Sequence, residues 1–317
     1  EMLRSLVGSE MCIRDRIKML NEKREHTKSL PGVKIPESIV FSDNLEAVLA
    51  DPDIVVLAVA SPYTRSTAHM MSPHVKEGQI IVNVGKGIEE TTLETLCHVV
   101  EDEIPQAQVA VLSGPSHAEE VGRGIPTTCV VGTRKKANAE FIQNVFMSNV
   151  FRVYTSPDML GICLGGSLKN VIALAAGMAD GLGYGDNTKA ALITRGMAEI
   201  TRLGVKMGGK PQTFSGLSGI GDLIVTCESM HSRNRRAGIL IGKGYTADEA
   251  MKEVQMVVEG VYSARAALKL AKKYDVSMPI VEQVNHILFD DKKAADAVME
   301  LMLRDKTIEN SELPWEE

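Results

Sequence analysis

From about residue 51 to 156 the chain alternates short runs of aliphatic and β-branched residues with longer stretches whose apolar positions recur at helical spacing. The runs DIVVLAVA (53–60), QIIVNV (79–84), AQVAVL (107–112), TTCVVGT (127–133) and FRVYTS (151–156) predict strands, the first buried on both faces. Helical stretches are expected at 17–25, 63–75, 89–102 and 135–148. Strand–helix alternation of this kind builds a mostly parallel sheet, whose ligands sit outside the carboxyl ends of the strands. After Ser156-Pro157-Asp158 the pattern is helical almost throughout, at 158–181, 187–204, 232–243, 246–255, 259–274, 279–289 and 293–303. A domain boundary is therefore placed near 156, with 17–156 as the sheet domain and 157–317 as a helical substrate and catalytic domain.

A dinucleotide-binding sheet opens with a strand, a G-x-G-x-x-G turn and a helix. This chain carries no such turn. Residues 1–16 read EMLRSLVGSEMCIRDR, with Gly8 as their one glycine and no β-branched run before it. They are read as a non-native segment resembling a translated adapter or assembly artefact. The expected fold class is thus α/β: a parallel Rossmann-type sheet domain truncated at its first unit, followed by an all-α C-terminal domain.

Composition narrows the function. The net charge of −6 argues against a nucleic-acid partner, which calls for a basic face. A phosphorylated small molecule is still accommodated if its site is locally basic. The five cysteines, Cys12, Cys97, Cys129, Cys163 and Cys227, include no C-x-x-C pair, so no metal site and no disulfide framework is expected. Reduced thiols suit a cytoplasmic protein. Ile54–Ala60 is read as the longest strongly apolar stretch, too short to span a membrane. No secretory signal pattern is seen at the start.

Several strings carry chemistry. In NVGKG (83–87), Lys86 sits between glycines on a strand exit, where it can approach an anion closely. In LSGPSHAEE (112–120), Gly114 and Ser116 can offer backbone N–H groups and a hydroxyl to a phosphate or carboxylate. A helix starting near His117 would aim its positive end at the same place, and His117 itself is read as structural. In GGSLKNVIALAAG (165–177), Lys169 and Asn170 interrupt an apolar helix rich in small residues. Burial lowers a lysine's pKa, which is what proton transfer requires. The small residues admit either a neighbouring helix or a cofactor ring. In GDNTKAALITRG (185–196), Asp186, Asn187 and Thr188 are natural caps. In GLSGIGDL (216–223), Asp222 can hydrogen-bond a lysine or a hydroxyl. Further on, Ser232 can cap a helix that opens with Arg233 and Asn234, where Arg233 can clamp a phosphate. Arg235 and Arg236 read as solvent or interface charges. Glu259, in VVEG (257–260), is as much a cap as a ligand.

Taken in order, LSGPSHAEE, GGSLKN, GDNTKAALITRG and GLSGIGDL followed by SRN resemble the bacterial NAD(P)-dependent glycerol-3-phosphate dehydrogenase family over about residues 17–303. The resemblance implies interconversion of sn-glycerol 3-phosphate and dihydroxyacetone phosphate by hydride transfer with NAD or NADP, supplying glycerophospholipid synthesis. It implies Lys169 as the catalytic proton carrier and Lys86 as a contact to both cofactor and substrate. Gly114, Ser116, Asp222, Ser232, Arg233 and Asn234 match substrate positions. Ala118, Val257 and Glu259 match cofactor contacts, and Arg233 is expected to reach the cofactor as well. A cytoplasmic homodimer is part of the same expectation, with no membrane partner. Two alternatives stay open: a phosphate-ligand-binding fragment without a cofactor site, and a related hydroxyacid dehydrogenase.

Overall fold

The computed structural model describes residues 15–27, 30–306, 308–309 and 316. The expectation for residues 1–16 lies outside these except for Asp15 and Arg16, which belong to a helical run over 15–23.

Five strands form one sheet in sequence order: β1 (Val55–Leu57), β2 (Ile80–Asn83), β3 (Gln108–Ser113), β4 (Thr127–Gly132) and β5 (Phe151–Ser156). The first three are parallel, with Val56 opposite Val82 and Val82 opposite Ala110. β4 runs antiparallel to β3, and β5 runs parallel to β4. The loops leaving β1, β2 and β3 therefore share one edge. Alternate residues of the central strands go to opposite faces. Ile81, Val109 and Val111 pack with Cys97, Val100 and Ile162, while Val82, Ala110 and Leu112 pack with Ile142 and Val153. Both faces are buried, which is why these strands read as near-continuous apolar runs.

The main helices between these strands and ahead of them are α1 (Leu45–Leu49), α2 (Thr64–Met71), α3 (Leu96–Glu103) and α4 (Lys136–Phe146). Three expectations need correction here. β1 is short and not buried on both faces: it is an edge strand among the described residues, and Val56 is 47% exposed. The helix expected from 89 starts only at Leu96. Residues 88–95 instead form a turn closed by an Ile88–Thr95 bridge, with Leu93 at φ 65°. Arg65 holds that turn by hydrogen-bonding both oxygens of Glu89, at 2.8 and 2.7 Å, and Thr95 then caps α3. The helix expected after His117 is the single turn Ala118–Val121, too short to build a dipole of any size.

The second half consists of α5 (Met159–Gly181), α6 (Asp186–Lys206), α7 (Asp222–Glu228), α8 (Arg233–Gly242), α9 (Ala247–Val254), α10 (Glu259–Lys273), α11 (Pro279–Phe289) and α12 (Ala294–Met302). Asp158 starts α5 by accepting from the Gly161 N–H at 2.9 Å. α5 is apolar all round and buried on every side, as a helix at the centre of a domain must be. By length and composition it could cross a membrane, so Ile54–Ala60 is not the longest apolar stretch. Its most apolar window is 94% buried within the protein.

The small residues of α5 serve a neighbouring helix. A Cβ on Gly177 would lie 2.2 Å from the Arg235 carbonyl, and one on Gly181 would lie 2.3 Å from that of Ile239. Reciprocally, a Cβ on Gly238 would lie 2.2 Å from the Leu174 carbonyl. The two helices thus run side by side, backbone against backbone, and Asn234 at the start of α8 reaches Asn170 of α5 at 3.0 Å. A charged knot fixes the far end. Asp180 pairs with Arg235 at 2.8 Å and with Lys189 at 3.0 Å. Arg235 is therefore a half-buried partner rather than a solvent charge. The caps expected at Asp186–Thr188 are absent: α6 starts after Gly185 with no side-chain cap bond.

Replacing Gly238 by Ala would drive its methyl into the Leu174 carbonyl. The Gly238→Ala variant should lose about 1–3 kcal/mol of stability, the usual cost of overpacking. Denaturant melts check this, and a wild-type midpoint would refute so close a helix contact.

Candidate functional site

The loops after β1, β2 and β3 converge on the middle of α5 and on the starts of α7, α8 and α10. Backbone constraints bring them together. Gly87 adopts φ 158°, and a Cβ there would sit 2.4 Å from that of Ser61 in the loop after β1. Gly114 adopts φ 149°, with the Cys129 Cα and the Thr128 carbonyl each 3.0 Å from a Cβ position. Ser167 of α5 then fastens the β2 loop: its Oγ donates to the Gly87 carbonyl at 2.9 Å and accepts from the Gly87 N–H at 3.0 Å. Lys86 is thereby delivered to the same side of α5 as Lys169.

Asp222 is the centre of the site. One carboxylate oxygen accepts from Lys169 Nζ, and the other accepts from Lys86 Nζ at 2.5 Å. Lys86 also donates to the Gly114 carbonyl at 3.1 Å, and Lys169 to Thr226 Oγ at 2.7 Å. Asp222, Thr226 and Lys169 are buried, and Lys86 is half-buried. Two ammonium groups thus share one carboxylate, and they divide it unequally. Burial, only partly offset by Asp222 and reinforced by the charge of Lys86, brings Lys169 down to about 7. For Lys86, burial pulls down, but the charge and hydrogen bond of Asp222 outweigh it and the net direction is up. Lys169 is therefore the group able to exchange a proton near neutral pH, with Lys86 as the fixed cation beside it.

A chain of amides lies next to this centre. Asn170 accepts from Asn234 at 3.0 Å and contacts Glu259 at 3.5 Å, while Asn234 accepts from the Gly260 N–H at 2.8 Å. Burial raises the pKa of Glu259, and the charges of Arg233, Lys86 and Lys169 pull against it. Ser232 is buried and caps α8, accepting from the Arg235 N–H at 3.2 Å. Arg233 is the first residue of α8, partly exposed beside that amide chain. Ser116 donates to the Gly114 carbonyl at 3.1 Å. Val257 is half-buried just before α10, and Ala118 is exposed at the first position of its single turn.

Two residues were missed in the sequence. Thr226 holds Lys169 from four positions beyond Asp222, the spacing that puts both on one helix face. Reading 222–228 as a helix would have found it, but the glycines around it mask the pattern. Ser167 joins the two halves from within the GGSLKN string.

The site also bears on a dinucleotide. At two strand exits Thr64 Oγ and Ser113 Oγ are buried without a partner. Lys86 lies beside Ser113 over Gly166, and Glu259 meets the backbone of Ser61 in the loop after β1. These groups fit the reactive end of a nicotinamide cofactor. Among the described residues no metal-binding cluster is present.

The family descriptions that match are NAD-dependent glycerol-3-phosphate dehydrogenase N-terminus, over residues 7–139, and NAD-dependent glycerol-3-phosphate dehydrogenase C-terminus, over 158–299. A glycerol-3-phosphate dehydrogenase [NAD(P)+] of Agathobacter rectalis is 67% identical over 311 residues, covering 98% of this chain and 91% of the relative. That of Bacillus subtilis is 49% identical, covering 96% and 91%. The crystal structure of glycerol-3-phosphate dehydrogenase from Coxiella burnetii matches with a TM-score of 0.88 at 35% identity, over 92% of this chain and 89% of that one. A D-mandelate dehydrogenase, at 12% identity and a TM-score of 0.54, shares the fold alone over 92% of this chain and 90% of its own.

Asp222→Asn would leave buried Lys169 and half-buried Lys86 facing each other without their shared carboxylate. The variant should lose about 3 kcal/mol or more, as when one partner of a buried pair is removed. The loss should be greatest below pH 7 and shrink above it, as Lys169 gives up its proton. Melts at acidic and alkaline pH check this; a pH-independent difference would contradict the shared-carboxylate geometry.

Proposed function

The chain belongs to the NAD-dependent glycerol-3-phosphate dehydrogenase family and interconverts sn-glycerol 3-phosphate and dihydroxyacetone phosphate with NAD or NADP; on that premise we propose how its own residues carry the reaction. Lys169 is the proton carrier. Neutral, it accepts the proton of the substrate alcohol; protonated, it returns one to the carbonyl oxygen. Asp222 and Thr226 hold its Nζ in place, and Lys86 keeps a positive charge beside the developing oxyanion. The observation that carries this reading is the burial of Lys169 against a carboxylate it must share, which brings its pKa to about 7.

Arg233 and Asn234, at the start of α8, take the phosphate, with Gly114 and Ser116 on the facing loop. Ser232 supports them as the cap of α8. Glu259 orients Asn170 from the cofactor side, with Val257 and Ala118 as apolar contacts there. When bound, the nicotinamide supplies or accepts the hydride. The residues around it fix the carbonyl carbon in position and exclude water. The reading extends to a cytoplasmic homodimer supplying glycerophospholipid synthesis.

The sign of the pH dependence follows from Lys169. Oxidation of glycerol 3-phosphate requires the neutral amine, so its kcat should rise with pH through about 7. Reduction of dihydroxyacetone phosphate requires the ammonium, so its kcat should fall through the same range. Lys169→Ala should lower turnover by about 10²–10⁴-fold, the scale of general acid–base catalysis. Steady-state profiles in both directions test this, and a flat profile or near-normal turnover in the variant would remove Lys169 from proton transfer. Arg233→Ala should instead act on KM for the phosphorylated substrate. The loss of a charged hydrogen bond is worth about 1.5–3 kcal/mol, and an unchanged KM would exclude Arg233 from the phosphate site.

A further inference from the structure

His117 is a site neighbour with no part in the scheme above. It precedes the single turn Ala118–Val121 but makes no side-chain cap bond there. Its ring turns inward instead, and Nε2 is buried without a hydrogen-bond partner. Buried polar atoms in folded proteins are nearly always paired, so an orphan beside a reactive centre calls for a ligand. The ring lies within the field of both Lys169 and Asp222, and the backbone of Val225 on α7 hydrogen-bonds the imidazole, which leaves Nε2 as its unpaired nitrogen. Its other neighbour is His231, with ring centroids 6.0 Å apart and planes tilted by 53°. His231 directly precedes Ser232, Arg233 and Asn234, and its Nδ1 lies 3.9 Å from Glu119. His117 therefore stands where the loop after β3 meets the start of α8, between the two strings assigned to the phosphate.

We propose that His117 is a substrate-positioning residue, whose Nε2–H donates to an oxygen of the phosphorylated three-carbon substrate. The inference rests on the reading of this pocket as the glycerol phosphate site. Without ligand, burial and then the charge of Lys169 hold the imidazole below its ordinary pKa, while Val225, Glu119 and Asp222 pull weakly the other way. The free enzyme thus carries a neutral ring at pH 7. An arriving phosphate dianion satisfies Nε2 and offsets the repulsion from Lys169. The ring then binds a proton more readily, so substrate binding is coupled to proton uptake. Arg233 supplies the permanent charge of the cradle, and His117 supplies a hydrogen bond and a charge that depends on occupancy.

The test is calorimetric titration of sn-glycerol 3-phosphate into the wild type, His117→Phe and His117→Gln, in two buffers of different ionisation enthalpy. His117→Phe should bind roughly tenfold or more weakly, the scale of one hydrogen bond to a charged group. His117→Gln places an amide N–H near the position of Nε2 but does not titrate. It should recover most of the affinity and take up fewer protons on binding, with a flatter pH dependence between about 6 and 8, the range in which a histidine titrates. The second ionisation of the substrate is common to all three proteins and drops out of the comparison. Wild-type affinity in His117→Phe would overturn the positioning role, and wild-type proton uptake in His117→Gln would overturn the coupling. A parallel assay of dihydroxyacetone phosphate reduction separates the two levels. A wild type that neither binds nor turns over would overturn the reading of the pocket, and this inference with it. Normal turnover with unaltered variants would overturn the inference alone.

Discussion

The architecture depends on one shared carboxylate. Asp222 lies at the start of α7, Lys169 in the middle of α5, and Lys86 on the loop after β2. Three elements far apart in sequence are held by two ion pairs on a single side chain. A buried ion pair is poor evidence of stability, because desolvation consumes most of the Coulombic gain. It is better evidence of specificity, since two lysines with only one carboxylate between them leave a site with a proton to spare. The rest of the local structure exists to make that arrangement possible. Ser167 pins the Lys86 loop, Thr226 occupies another hydrogen-bonding direction of Lys169, and Gly114 provides a carbonyl for Lys86.

The glycine contact between α5 and α8 is the second constraint, and it acts on the phosphate side. Were larger residues at Gly177 and Gly238, the axes would separate and Asn234 would leave Asn170. The knot of Asp180, Arg235 and Lys189 ties the end of α5 to the start of α8 and to α6. The orientation of Arg233 at the start of α8 is thus set by packing some distance from any substrate. Positioning of this kind contributes to catalysis as much as the reacting groups do.

Much of this was legible in the sequence. The helices of the second half other than α7 were read within a few residues, because α5 is apolar throughout and the others carry a stripe of period 3.6. Lys169 stood out as a charge inside an apolar helix. What escaped depended on partners remote in sequence. The turn at 88–95 is imposed by Arg65 on Glu89, where local pattern favours helix. Arg235 reads as a surface charge until Asp180 is brought beside it by the α5–α8 contact. The caps at Asp186–Thr188 gave way to a start at Gly185. β1 reads as doubly buried because its sequence is apolar, yet its burial is decided by what pairs with its outer edge, and a strand's own residues carry no record of that. Thr226 and Ser167 are small hydroxyls that carry no signal until their lysine and loop are placed.

The electrostatics of the pocket bear on why the two lysines differ. Both are drawn from water towards the same carboxylate, so a symmetric site would leave them equivalent. The asymmetry lies in their surroundings. Lys169 is 4% exposed and has only a hydroxyl as its second partner, whereas Lys86 reaches partly to solvent and adds a backbone carbonyl. For Lys169 burial outweighs the carboxylate, for Lys86 the carboxylate outweighs burial, and Lys169 is therefore the one that yields its proton. The division of labour follows from how burial and one shared carboxylate balance at two otherwise identical side chains.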